Sequence, residues 1–114
     1  MTITRIDTSP RMSQAVIHGE TVYLAGQVGA PGESVTAQTE AVLAQIEDLL
    51  ARTGSDKSKL LSASIWLPDI DTFGEMNRAW DEWVDPENKP ARATVEARLA
   101  SPDYKVEIAA IAAR

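Results

Sequence analysis

The sequence contains no cysteine and only one histidine, and both shortages exclude classes of function. Without cysteine among the 114 residues there is no disulfide, no thiolate nucleophile and no sulfur-ligated metal. His18 precedes Gly19 in a predicted turn, and no other metal-binding side chains gather near it in the sequence. This context favours a solvated turn residue over a metal ligand or a general base. We therefore predict no metal site.

Long hydrophobic runs and clustered positive charge are also missing. No run of about 18 apolar residues is present, and the first residues lack the basic start and apolar stretch of a signal peptide. We therefore expect a soluble, cytoplasmic protein with no membrane partner. The 11 Lys and Arg residues are scattered and outnumbered by 17 Asp and Glu, which gives a net charge of −6. A nucleic acid would be repelled, so we predict no nucleic-acid partner.

What is present predicts a single domain over residues 1–114 with alternating strands and helices. Two short β-rich runs in residues 14–28 flank a tight turn. A helix is predicted over Val35–Arg52, where apolar side chains recur every three or four residues. Ser34 is the expected N-cap, and Gly54 is expected to end the helix. The order of elements so far is β-β-α.

The second half of the chain predicts a strand, a helix and two closing strands. In "LLSASIWLPDI", Leu61, Ala63, Ile65 and Leu67 should point to one side of a strand. Thr72 and Glu75 match a capping box for a second helix that ends before Pro86. Residues 90–114 then read as a closing hairpin. The full order, β-β-α-β-α-β-β, predicts one mixed sheet with both helices on one face, because strand-helix-strand crossovers are right-handed.

The face of the sheet without helices is not predicted to be uniformly polar. Depending on register it carries Tyr23, Ala25, Trp66 and Ile111 or their neighbours. A face of mixed aromatic and small residues usually packs against something, which favours a symmetric oligomer with its sheets packed together. The alternative is a monomer with one sheet face partly exposed to solvent.

Arg92 and Glu107 are charged residues on different closing strands, and Glu96 and Arg98 share the row of Arg92. The uniformly apolar rows of these strands should face the helices, so we expect both charges on the uncovered face. In one interpretation they are surface or interface residues whose ion pairs add little stability. In the other, Arg92 offers a planar fork to a substrate carboxylate and Glu107 orients or deprotonates a water. The alternation of side chains along the strands does not decide between these two interpretations.

The element order and five segments of the chain resemble one known family. The segments are "SQAV", "VYLAGQV", "MNRAWDEWV", "PARATVEARL" and "KVEIAAIA". They are similar to those of the reactive intermediate deaminase family, also called the RidA or YjgF family, and "RMSQA" resembles a subgroup of it. The resemblance implies a chorismate-mutase-like (bacillus-type) α+β fold and a homotrimer with a small-molecule pocket at each subunit interface. It also implies hydrolysis of 2-enamine and 2-imino acids to 2-keto acids and ammonia, without a cofactor.

The resemblance assigns roles to individual residues. Arg92 matches the arginine that binds the substrate carboxylate, and Glu107 matches the glutamate that positions water. Asn77 matches an asparagine near the pocket. The remaining predicted substrate contacts are Gly26, which lines the pocket, and Thr94, whose main chain would contact the imine nitrogen, together with Ala25, Ala93, Met12 and Arg11.

The chain departs from the archetypal family members at two positions. Met12 and Ala25 stand where those members have an aromatic hydroxyl and a hydroxyl residue, so two polar substrate contacts are missing. Arg11 is a candidate for a different anion contact or a solvated surface residue. The loss of the hydroxyls leaves open an alternative function, a non-catalytic trimer that binds small carboxylates or a partner protein in the same cleft.

Overall fold

Six strands and two α-helices form the protein, and the computed structural model describes all residues 1–114. In chain order they are β1 (Ile3–Ile6), β2 (Ala15–His18), β3 (Thr21–Gln27), α1 (Val35–Arg52), β4 (Leu60–Leu67), α2 (Phe73–Trp83), β5 (Ala91–Glu96) and β6 (Glu107–Ala113). Short 3-10 turns at Lys57–Lys59 and Ile70–Thr72 precede β4 and α2. Neither helix is both long enough and apolar enough to cross a bilayer.

The strands form one mixed sheet in the spatial order β1-β2-β3-β6-β4-β5. β4 and β5 are parallel, and all other neighbours are antiparallel. The predicted fold, a mixed sheet with two helices on one face, is confirmed, and β1 adds a strand before the first predicted one. The sequence of β1 shows no alternation of apolar and polar residues that would predict a strand. Main-chain pairing with β2 holds β1 in place, and only Ile6 is half-buried.

The predicted closing hairpin is wrong. β5 and β6 do not pair with each other, because β4 lies between them in the sheet. β5 returns from α2 parallel to β4, and residues 97–106 then carry the chain to the other side of β4. β5 is consequently an edge strand, whereas β6 is central.

Both helices form where the sequence predicts them, but the cap of α2 differs. Ser34 caps α1 by accepting a hydrogen bond from the Ala37 amide at 3.1 Å, as predicted. Thr72 makes no capping bond to α2, so the predicted capping box is wrong. Glu75 instead accepts hydrogen bonds from the amide and the hydroxyl of Thr36, both at 2.9 Å, and so ties the start of α2 to the start of α1.

The core lies between the helices and the sheet. β6 alternates as predicted, with Ile108, Ala110 and Ala112 buried and the intervening residues half-buried. In β4 the prediction for Leu61 is wrong: this side chain is exposed, and Leu60 is buried in its place. The cause is a register shift between Leu60 and Ser62 against β6. The other predicted inward residues of β4 are buried: Ala63, Ile65 and Leu67.

The opposite side of the sheet, here called the open face, has no helix over it. Over strands β3 to β6 its members are Tyr23, Ser62, Ser64, Trp66, Ala91, Ala93, Val95, Glu107, Ala109 and Ile111. Tyr23 is 45% exposed and Val95 is 51% exposed. Small and apolar side chains therefore dominate a surface that a single chain leaves in water.

Candidate functional site

Arg92 lies on the helix side of β5, in a socket made by α2. Its Nη2 donates to Asn77 Oδ1 at 2.7 Å. The centre of its guanidinium lies 5.2 Å from the ring centroid of Trp80 and 5.8 Å from that of Phe73. An arginine between aromatic faces is stabilised by the negative faces of the rings.

The socket follows from the spacing of α2. Phe73, Asn77 and Trp80 are separated by four and three positions, so they form one stripe on the helix. Arg92 lies beside Ala63 of the adjacent strand β4, and the small side chain of Ala63 leaves room beneath the stripe. We call Phe73, Asn77, Trp80, Arg92 and the neighbouring Thr94 the Arg92 cluster.

The expectation that Arg92 faces the uncovered side is wrong. Within β5, Arg92 and Thr94 form the more buried row, and Ala91, Ala93 and Val95 are exposed. The apolar row of β5 extends the apolar surface of the open face. The row that contains Arg92 faces α2, whose aromatic rings and amide contact the guanidinium. The rule that apolar rows face helices fails on this edge strand. Both sides of β5 are apolar enough to accept the apolar row, so the rule does not decide which side that row faces.

Arg92 forms no ion pair within the chain. The ion pairs of the structure involve Arg52 and Lys57, and none involves Arg92. Burial lowers the pKa of the Arg92 guanidinium, and Asp81 partly opposes that shift. Arginine stays protonated in proteins and carries five N–H donors, of which the chain uses one here. The remaining donors suit an anion from outside the chain.

Glu107 begins β6 on the open face, beside Trp66 of β4. Its carboxylate lies against the backbone of Gly26, so closely that a Cβ at position 26 would overlap it. Glu107 makes no ion pair, and none of the side-chain hydrogen bonds of the chain reaches it. We call Ala25, Gly26, Trp66 and Glu107 the Glu107 cluster.

The two clusters are separated within one chain. Arg92 points to the helix side of an edge strand and Glu107 to the open face of a central strand, with β4 between them. Two strand spacings, about 10 Å, and the thickness of the sheet lie between the two charges. Neither residue lines any of the cavities of the chain. A single chain therefore cannot bring both groups to one ligand.

The other predicted contacts fall into different places. Thr94 lies next to Arg92, and its Oγ1 is the only buried side-chain polar atom without a hydrogen-bond partner. Ala93 is on the open face. Arg11 and Met12 are exposed in a bend between β1 and β2, where Ser9 Oγ accepts from both of their amides at 3.3 Å.

Sequence reasoning missed Phe73 and Trp80 as partners of Arg92. Both are apolar residues on one side of α2, yet Phe73 is 41% exposed. Their spacing around Asn77 is the signal that points to a shared surface. No group of three or more His, Asp or Glu side chains is arranged to hold a metal ion.

Comparison with known proteins shows close relatives over the full chain. The family model described as "Endoribonuclease L-PSP" matches residues 2–114. A RutC family protein of Haemophilus ducreyi is 47% identical over 112 residues, covering 97% of this chain and 96% of that protein. The RutC family protein YoaB of Escherichia coli is 46% identical over 113 residues, with 99% of each chain covered. A crystal structure of a YjgF family member from Neisseria meningitidis superimposes with a TM-score of 0.98 at 46% identity, covering 100% of this chain and 96% of the other.

Proposed function

This chain belongs to the YjgF family, also called the RidA family, and from that premise we propose that it is a cytoplasmic enzyme that hydrolyses reactive 2-enamine and 2-imino acids. The products are the 2-keto acid and ammonia. The observation that carries the proposal is the unpaired guanidinium of Arg92, held by Asn77 and two aromatic rings with most of its donors unused. Such a group is suited to bind a substrate carboxylate in a bidentate pair.

The proposed reaction needs one water and no cofactor. Arg92 binds the carboxylate, and Glu107 accepts a hydrogen bond from a water and directs its oxygen to the imine carbon. A C–O bond forms as the C=N π bond breaks and the nitrogen takes a proton, which gives a carbinolamine. The C–N bond then breaks, ammonia leaves, and the hydroxyl loses its proton to give the keto acid. Gly26 and the Thr94 main chain are the proposed contacts near the reacting atoms.

We propose that a homotrimer completes the site, with the Arg92 cluster of one subunit facing the Glu107 cluster of the next. Three features of the single chain support this. Neither charge forms an ion pair within its own chain. β5, which carries Arg92, is a free sheet edge, and the open face is rich in small and apolar side chains. Opposite, unpaired charges on separate surfaces are the arrangement that complementary interfaces use.

The direct test uses imines generated by an amino-acid oxidase and follows their loss. Wild type should accelerate the loss, and Arg92→Ala should reduce kcat/KM about 10²- to 10³-fold, because the substrate carboxylate loses its charged partner. Arg98→Ala is a matched control, since Arg98 is an exposed arginine just beyond β5. Failure of wild type to exceed buffer with any imine, or full activity of Arg92→Ala, would contradict the proposal.

A second candidate is a non-catalytic trimer that binds small carboxylates or a partner protein in the same cleft. Met12 and Ala25 favour it, because neither can supply the hydroxyl contact that the resemblance leads us to expect. This candidate predicts that wild type binds 2-keto acids without hydrolysing imines, and that Arg92→Ala loses the binding. Calorimetric titration with a 2-keto acid alongside the imine assay separates the two.

The description of the matching family model names an endoribonuclease, which is a third possibility for this chain. The net charge of −6 disfavours binding to an RNA backbone. With His18 as the only histidine, the chain also lacks a histidine pair for acid-base cleavage. Both features make ribonuclease activity the least supported candidate.

A further inference from the structure

Strand β3 contains a bulge at the point where it supports Glu107. Leu24 pairs with Ala110 and Gln27 pairs with Ile108, so β3 has one residue more than β6 over this interval. The two residues between them, Ala25 and Gly26, therefore oppose a single residue of β6. As a result Gly26 lies under the Glu107 carboxylate.

Two glutamines hold this bulge, and the proposed reaction gives neither of them a role. Gln27 Nε2 donates to the carbonyl of Ala25 at 3.1 Å and to Oε1 of Gln14 at 2.8 Å. The Ala25 amide in turn donates to the carbonyl of Gln14 at 2.9 Å. Gln14 thus bonds to the bulge in two ways. Its main-chain carbonyl bonds to Ala25 directly, and its side chain bonds to the bulge through Gln27.

Packing alone does not account for Gln27. It is 7% exposed and points into the helix side of the sheet, where an apolar side chain of similar volume would fill the same space without desolvating an amide. A bulge held only by its own backbone could also shift its register by one residue, which would move Gly26 away from Glu107. The two hydrogen bonds of the buried amide oppose that shift.

We propose that Gln14 and Gln27 form a clamp that fixes the β3 bulge under Glu107, and that both are positioning residues for this carboxylate. The inference rests on the proposed function, because it assigns the clamp to the water-orienting group. The clamp should affect how the water is oriented for attack, so its loss should lower kcat. It should leave Arg92 and the binding of the substrate carboxylate unchanged.

The direction of the hydrogen bonds gives the clamp a signature. Gln14 contributes an acceptor, so Gln14→Glu retains the bond from Gln27 and should behave like wild type. Gln27 contributes the donors, so Gln27→Glu and the volume-matched Gln27→Met both lose them. Gln14→Met removes the acceptor at a half-buried position and serves as a second variant should the buried substitutions fail to fold.

The experiment measures kcat and KM for imine hydrolysis in these variants and in Thr53→Val. Thr53 is a matched control, because its buried hydroxyl also makes two bonds, to the carbonyls of Leu49 at 2.8 Å and Leu50 at 3.0 Å, at the far end of α1. Gln27→Met and Gln14→Met should lower kcat about tenfold or more with KM nearly unchanged, and Gln14→Glu and Thr53→Val should keep kcat. Wild-type kcat in both methionine variants, or equal losses in Gln14→Glu and Gln14→Met, would overturn the clamp.

A second readout does not depend on activity. The Glu107 carboxyl carbon and the Gly26 amide should change their NMR shifts in Gln27→Met and Gln14→Met, and stay at wild-type positions in Gln14→Glu. Wild-type shifts in both methionine variants would overturn the clamp. If wild type hydrolyses no imine, the proposed function fails by that result alone, and the NMR comparison still decides whether the glutamines hold the bulge.

Discussion

The Arg92 cluster and the Glu107 cluster carry opposite charges and are built in opposite ways. Arg92 is surrounded by side chains, with rings of α2 against its guanidinium and Asn77 at one nitrogen. Glu107 is held by backbone, because its carboxylate rests on a glycine in a bulged strand. The position of Arg92 is thus fixed by the spacing of residues on a helix, whereas the position of the Glu107 carboxylate is fixed by strand register.

The two halves should therefore break in different ways. Substitutions in the Arg92 cluster remove a charge or a ring and should weaken the binding of a carboxylate. Substitutions in the Glu107 cluster shift a carboxylate and should slow the chemical step.

Gly26→Ala should be the most damaging small substitution in the Glu107 cluster. The new Cβ would overlap the Glu107 carboxylate and displace it, so kcat should fall about 10²-fold while KM changes little. Gly74→Ala is the control, since a Cβ at position 74 meets no atom within 4 Å. Steady-state kinetics of both variants on the same imine tests the prediction, and equal kcat in the two would show that Glu107 is not held by this contact.

Thr94→Val should stabilise the protein, because it removes a buried hydroxyl that has no hydrogen-bond partner. The free energy of unfolding, measured by urea denaturation, should rise by about 1 kcal/mol. Activity should stay near wild type if the Thr94 main chain, and not its hydroxyl, contacts the substrate. Thr39→Val is the control, since the Thr39 hydroxyl donates to the Val35 carbonyl at 2.7 Å and its removal should give no such gain.

The smallest expected effect concerns the start of the loop that carries Arg11 and Met12. Hydrogen bonds from Arg52 hold the pKa of Asp7 below its ordinary value of 3.8. A lowered folded-state pKa adds stability that is present above the unfolded pKa and is lost as pH falls through the folded value. The difference in Tm between wild type and Asp7→Asn should thus be small at neutral pH, because the pair is exposed, and should vanish once the pH falls through the lowered pKa of folded Asp7. A difference that persists in acid would point to a contact other than this ion pair.

The sequence was sufficient for elements whose signal is local. The bounds of α1 follow from its apolar stripe, Ser34 and Gly54, and the row of Ile108, Ala110 and Ala112 follows from alternation. The side to which Arg92 points was not predictable from alternation, because the apolar row of β5 extends the apolar open face and only the tertiary position of α2 decides which row is covered. The β3 bulge was hidden for a similar reason, since one extra residue in a pairing is visible only when both strands are seen together.

The separation of the two clusters leads to a direct test of the proposed site shared between subunits. Arg92→Ala and Glu107→Ala subunits, each inactive alone, are mixed in equal amounts, unfolded and refolded together, and assayed for imine hydrolysis. If each site takes Arg92 from one subunit and Glu107 from the next, random assembly restores both groups at about a quarter of the sites. We therefore expect about a quarter of wild-type activity from two inactive parents. Mixed oligomers, confirmed by mass spectrometry, with no activity above that of the parents would contradict it.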